Sequence, residues 1–192
     1  MPYEFRFYID HELHFQSRLE SERCNGVKKN GETCKRTCCI GTPYCWTHLL
    51  YAKHIRIKDS ILIRAGKGLF AIDPSTREPV RVFEKGDKII EYDGELIPHA
   101  ELERRYGGYT APYGVEVNKT RDLYEDGAIH RGAGTLANHA TGARVNARLS
   151  VSRNHVVLIA TKTIKNGSEI YLNYGRAYRF NEPTEYTTKA VK

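Results

Sequence analysis

Two sets of residues carry side chains able to do chemistry. The first is Asn138-His139, reached through the glycine-rich step RGAGTLA, together with Tyr174, which closes the run EIYLNY ahead of Gly175. Amide, imidazole and phenol groups delivered to strand ends make a polar pocket that binds and orients a ligand by hydrogen bonds. The second is the segment CNGVKKNGETCKRTCCIGTPYCWTH, which holds all five cysteines. Cys24 and Cys34 precede a Cys45-x-x-His48 pair. Three thiolates and an imidazole, in a stretch too short for a core of its own, form the donor set of a closed tetrahedral zinc site. Cys38 and Cys39 fall inside the same stretch, and either could replace Cys34. The competing reading is a cluster of free thiols. His11 and His14 are three apart, but nothing beside them supplies further ligands.

The elements that must position these groups are short. Val156 to Ala160 is an apolar, β-rich run that predicts a buried strand. After the Asn166-Gly167 turn, Glu169 to Tyr174 predicts another. Strands are also expected at Ile57 to Ile63, Leu69 to Ile72, Lys88 to Tyr92 and Val115 to Val117. Pro98 to Arg105 suits a short helix with proline in its first turn. Short strands separated by turns, with little helix, argue for a mainly β fold without repeated βαβ crossovers. Residues 1–20 read as an arm packed across the main body, with a short helix over Glu12 to Glu22. The polar tail from Asn181 to Lys192 is expected to fray at its end. The Gly66-Lys67-Gly68 step lacks the helix and third glycine of a dinucleotide fingerprint.

The chain has 192 residues and a formal charge of +7, so its encounters favour acidic partners. Between Ala128 and Lys165 there are four arginines and two lysines but no Asp or Glu, which makes nucleic acid a candidate neighbour. No run approaches the roughly 20 apolar residues that a membrane helix needs, and no secretory signal is evident at the start. Clustered cysteines in odd number suit metal or thiols in a reducing, intracellular compartment.

GKGLFA (Gly66 to Ala71), EYDGELI (Glu91 to Ile97), Asn138-His139 and EIYLNYG (Glu169 to Gly175) stand in the order found in SET-domain protein lysine methyltransferases. The resemblance covers about Ile57 to Tyr178 and is greatest to the small viral SET proteins. The Cys24–His48 segment resembles small finger modules of giant viruses and phages. What these resemblances imply is a fold of several small sheets with a C-terminal pseudoknot, preceded by a small zinc module. The expected division is an arm (1–23), a Cys3His module (24–48), a connector (49–56), the SET domain (57–180) and a tail (181–192).

The family uses S-adenosylmethionine to methylate lysine in histones or other proteins. By resemblance, Lys67, Gly68 and Leu69 line the donor through their backbone, and Asn138 and His139 hold its amino group and adenine. Tyr174 stands beside the transferring methyl, Tyr92 and Tyr178 line the lysine channel, and Phe180 covers the adenine. Leu172 occupies a position that is usually Phe or Tyr and that tunes how many methyl groups fit. Asn146 is the candidate for the family's later asparagine. Thr135-Leu136-Ala137 replaces the usual Arg-Phe step, and no cysteine follows Cys45 to build a C-terminal zinc cap. The channel wall is therefore expected from Tyr178 to Tyr186, the amino-terminal arm or a second subunit.

The chemistry suits these residue types. Methyl transfer from a sulfonium is an in-line displacement that gains from holding nitrogen, carbon and sulfur collinear. The attacking lysine must lose a proton held with a pKa of about 10.4, and an aromatic channel beside a cation favours that loss. If the acceptor is a histone, the nucleus of a host cell is the expected location. Two rivals use the same residues: a catalytically idle SET domain that binds protein or chromatin, and a nucleic-acid-binding finger protein scaffolded by the β domain.

Overall fold

The structure is a computed structural model, and it describes residues 3–19, 21–38 and 42–190. In chain order the first elements are β1 (Tyr3–Ile9), β2 (Glu12–Leu19), α1 (Trp46–Lys53), β3 (Ile55–Asp59), β4 (Lys67–Ala71) and β5 (Arg81–Phe83). Next come β6 (Lys88–Glu91), β7 (Glu95–Pro98), α2 (His99–Tyr106), β8 (Gly114–Asn118) and β9 (Leu123–Asp126). The last are β10 (Asn138–His139), β11 (Ala147–Ser152), β12 (His155–Ala160), β13 (Ile164–Lys165), β14 (Tyr171–Leu172) and β15 (Thr184–Ala190). They form six small sheets. Among the described residues no helix is long and apolar enough to cross a membrane.

The central strand is β12. It pairs antiparallel with both β11 and β6, so both edges are used and its apolar residues are enclosed. Val156, Leu158 and Ala160 pack with Ile55, Leu69, Ile90, Ile164, Ile170 and Leu172 in one core. Burying side chains of this size is worth about 1.5–3 kcal/mol each, which makes this cluster the main source of cohesion. The β11–β12 connection is the pair Arg153-Asn154, both at positive φ (51° and 64°) between the paired Ser152 and His155. That is the backbone of a two-residue type I′ hairpin, whose twist matches the strands it joins.

The amino-terminal arm differs from the sequence expectation. Residues 12–19 form a strand, not a helix, because Asp10 and His11 (φ 49° and 67°) close a tight hairpin that pairs β2 with β1. The opposite edge of β1 pairs with β15 from Tyr3↔Ala190 to Ile9↔Thr184, so the polar tail is a strand and the arm its partner. Phe5 and Phe7 on β1 are fully buried, with Phe7 edge-on to Tyr106 at 5.0 Å and Phe5 edge-on to Tyr113 at 5.7 Å. This three-stranded sheet therefore backs the tyrosine-rich wall described below.

The segment carrying β14 is held on several sides. β14 runs parallel to β10 (Asn138↔Tyr171, His139↔Leu172), and Ile170 N–H donates to the Leu69 carbonyl. Asn146 is buried and clamps it twice, donating to the Glu169 carbonyl and accepting from Tyr171 N–H, each at 2.8 Å. This crossing of chain segments far apart in sequence brings Tyr174 to Asn138-His139.

Candidate active site and metal cluster

The approach to Asn138 is set by the backbone. A one-turn 3-10 helix over Ala133–Leu136 lies so close to β6 that a Cβ on Gly134 would stand 2.4 Å from the Glu91 carbonyl oxygen. Glycine lets the chain pass there, and the turn then delivers Asn138 and His139 as a two-residue strand. The Asn138 side-chain NH2 donates to the Lys67 carbonyl and to Glu169 Oε1, both at 3.0 Å. His139 Nδ1 accepts the backbone N–H of Tyr174 at 3.1 Å, so its ring proton resides on Nε2.

Burial lowers the His139 pKa from the ordinary 6.5, consistent with a neutral ring. An NMR titration should therefore give His139 a midpoint below 6.5. The sign of the linkage follows. Protons bind the unfolded chain first, so this histidine costs no stability above about pH 6.5 and progressively more as pH falls below it. A midpoint above that value would contradict the neutral acceptor.

Tyr174 donates its hydroxyl to the Ala137 carbonyl at 2.9 Å, and its ring lies 5.2 Å from that of His139. Burial, with the neighbouring Tyr178 and Tyr113 phenols, pushes its pKa up. It therefore stays a neutral phenol at physiological pH, with lone pairs left to accept a hydrogen bond.

Two clefts meet at this tyrosine. One, of about 390 Å³, is lined by the loop Leu62 to Ala65 and by Asn138, His139, Tyr174, Tyr178 and Phe180. The other, of about 480 Å³, is lined by Tyr92, Leu172, Val115, Glu116, Tyr174 and Tyr178. Both volumes lie in the range of about 300–1,000 Å³ typical of small-molecule sites. Tyr178 is 4.8 Å from Tyr174 and 4.7 Å from Phe180, and Phe180 is 4.9 Å from His139. Tyr92 is buried and donates its hydroxyl to the Tyr113 carbonyl at 2.9 Å. Leu172 is also buried, on the wall of the larger cleft.

Lys67, Gly68 and Leu69 lie on β4, where the Lys67 and Leu69 carbonyls bond to Asn138 and to the segment carrying β14. The Lys67 ammonium pairs with Asp59 at 2.6 Å, and its carbonyl is taken by Asn138. Gly68 is packed so closely that a Cβ would stand 2.2 Å from the Glu169 carboxylate. Leu69 is fully buried, with its carbonyl held by Ile170. The cleft-lining residues upstream, Leu62 to Ala65, went unnoticed in the sequence because Ile61-Leu62-Ile63 looks like the end of a strand. Glu169 also went unnoticed, although an acid inside an otherwise apolar strand is a usable signal.

At the other end of the chain, Cys24, Cys34, Cys45 and His48 offer ligand atoms that all lie within 4.8 Å of one another. Cys24 Sγ and Cys45 Sγ are each 3.3 Å from His48 Nδ1, and Cys34 Sγ is 4.0 Å from Cys45 Sγ. A tetrahedral zinc with Zn–S near 2.3 Å and Zn–N near 2.0 Å implies edges of about 3.5–3.8 Å, so the four residues fit the ion. His48 Nε2 is 3.1 Å from the Val27 carbonyl, which fixes the tautomer that leaves Nδ1 free to ligate. Gly26 makes room for the imidazole, since a Cβ there would stand 2.2 Å from the ring. Cys38 is buried beside the four, whereas Cys39 lies outside the described residues.

The family model for the SET domain matches residues 80–175. Histone-lysine N-methyltransferase EZH2 of Chaetomium thermophilum is 30% identical over 134 residues, 65% of this chain and 8% of that protein. N-lysine methyltransferase KMT5A-B of Xenopus laevis is 28% identical over 130 residues, 62% of this chain and 36% of the relative. The chain thus spans only a minor part of either protein's length. Among solved structures, the Chaetomium thermophilum Polycomb Repressive Complex 2 in an autoinhibited conformation bound to S-adenosylmethionine superposes with a TM-score of 0.51. That match has 29% identity and covers 66% of this chain and 16% of the other. The humanized mutant of the same complex bound to the inhibitor GSK126 gives a TM-score of 0.52 at 30% identity, covering 66% and 15%.

Proposed function

The chain belongs to the SET-domain family, and on that premise we propose that it transfers methyl groups from S-adenosylmethionine to a lysine side chain in a protein, with histones the leading acceptor class. The observation that supports this most is the meeting of two clefts at Tyr174, with Asn138 and His139 on one side and Tyr92 and Leu172 on the other. One cleft takes the donor and the other takes the lysine.

When bound, the sulfonium donor supplies an already activated methyl group, so the residues have no bond to activate. Their work is to place the reactants and exclude water. Asn138 offers an amide oxygen, and Phe180 and His139 offer ring faces to an adenine. Tyr92, Leu172 and Tyr178 enclose the aliphatic stem of the lysine in a low-dielectric passage, where its ammonium is disfavoured and the neutral amine is favoured. The Tyr174 oxygen accepts an amine N–H and aims the nitrogen lone pair. Its own proton stays in place, because its pKa is raised.

Incubating the purified protein with labelled donor and a panel of histones, nucleosomes and cell-extract proteins tests the proposal. Label on lysine, mapped by mass spectrometry, supports it. Donor binding without transfer to any protein favours the idle-domain reading. Leu172 adds a product prediction: without an aromatic ring or hydroxyl at this buried position, more than one methyl group is accepted. Exhaustive reaction should give di- or trimethyl-lysine, and a spectrum with monomethyl product alone contradicts it. At the opposite end of the chain, Cys24, Cys34, Cys45 and His48 hold a structural Zn2+ that staples the segment and takes no part in the methyl transfer.

A further inference from the structure

We propose that Glu169 is a positioning residue for the amino-acid end of the donor: it locks the Asn138 amide so that only its oxygen is offered to the cleft. The proposal rests on reading the Asn138–His139 cleft as the donor site.

The orientation of Asn138 follows from chemistry. Its side-chain nitrogen is 3.0 Å from the Lys67 carbonyl and 3.0 Å from Glu169 Oε1. Both are pure acceptors, so the NH2 group must face them and both of its protons are used. What remains for a ligand is Oδ1, an acceptor on the wall of the smaller cleft. An acceptor there suits an ammonium and repels a carboxylate. A sulfonium nucleoside bearing an α-amino acid carries one such ammonium, so this amide fixes which end of the donor lies where.

Glu169 is itself held firmly. It is 2% exposed, and beyond Asn138 it accepts from Ser60 Oγ at 2.7 Å, Ile61 N–H at 2.8 Å and Tyr171 hydroxyl at 2.7 Å. Among the described residues no Lys, Arg or His lies within ion-pair distance, so its charge is directed at neutral donors, Asn138 included. Hydrogen bonds to an ionised acceptor are roughly twice as strong as neutral ones, which suits a lock. Burial opposes the charge, but the four donors together hold the carboxyl below its ordinary range. The Ser60 and Ile61 contacts also anchor the start of the loop whose next residues, Leu62 to Ala65, line the cleft.

Calorimetry with two ligands separates positioning from mere structure. S-adenosylhomocysteine carries the amino-acid end, whereas 5′-methylthioadenosine keeps the nucleoside and sulfur without it. Glu169→Gln should weaken S-adenosylhomocysteine on the order of 10- to 100-fold while leaving methylthioadenosine within about threefold. Asn138→Ala should show the same selectivity, and the double variant should be no weaker than either single one, because the two residues act as a unit. Equal losses for both ligands, or additive losses in the double variant, overturn the proposal. Wild-type protein that binds neither nucleoside refutes the donor site itself, which is a separate result. The wild-type protein supplies a measurement independent of folding defects. The Asn138 side-chain NH2 should exchange slowly before and after ligand binding, and fast exchange in the free protein overturns the lock.

Discussion

Tyr174→Phe is expected to lower turnover at least ~100-fold, about 2.7 kcal/mol of barrier, while leaving donor affinity within about threefold. The asymmetry follows from what the substitution removes. The ring that stands beside His139 and Tyr178 is kept, and so is the backbone N–H that fixes the His139 tautomer. Only the hydroxyl that bonds the Ala137 carbonyl is lost, and with it the one polar atom of this residue at the junction of the clefts. The account therefore requires an effect on kcat with little on donor binding. Rapid-quench turnover beside donor calorimetry reads both quantities. Near-normal turnover would remove Tyr174 from the chemistry, and parallel loss of donor binding would make it a structural residue.

The second large effect concerns metal. Elemental analysis should find one zinc per chain, and a strong chelator should lower the melting temperature on the order of 10 °C, since zinc in finger peptides contributes about 10 kcal/mol or more. Among the described residues the segment's other anchors are few: Tyr44 packs against the main core, and single bridges join Arg23 to Thr37 and Val27 to Thr33. Its buried cluster is Cys24, Cys34, Cys38 and Cys45, and Val27 and Trp46 are largely exposed. The damage should spread, because His48 lies on α1, whose Leu49 and Leu50 are buried and which leads directly into β3. Cys45→Ser and His48→Ala should reproduce the chelator's effect. A metal-free preparation that melts at the same temperature would contradict the structural role.

How much of this was legible in the sequence depended on whether the signal was local. Val156 to Ala160 announces a central strand because an apolar β-rich run has few alternatives. Asn138-His139 and Tyr174 are separated along the chain by four strands, β11 to β14, and only the order of several motifs suggests that they meet. Their contact is made by parallel pairing of β10 with β14, which no local pattern encodes. The β1–β15 pairing was hidden for the same reason, since it joins the two ends of the chain. Both type I′ turns use Asp10-His11 and Arg153-Asn154, without the glycine that would have advertised them. Glu169 reads in the sequence as one more residue of a strand, although a buried acid needs donors and those donors identify the neighbours it organises.

The most direct test of the central claim is a crystal structure of the protein with S-adenosylhomocysteine and a lysine peptide. The account predicts the nucleoside in the cleft of Asn138, His139 and Phe180, and the lysine entering from the opposite side past Tyr92 and Leu172. Sulfur and amine should face each other beside the Tyr174 hydroxyl. A nucleoside bound elsewhere, or a lysine stem approaching from the same side as the nucleoside, would contradict it.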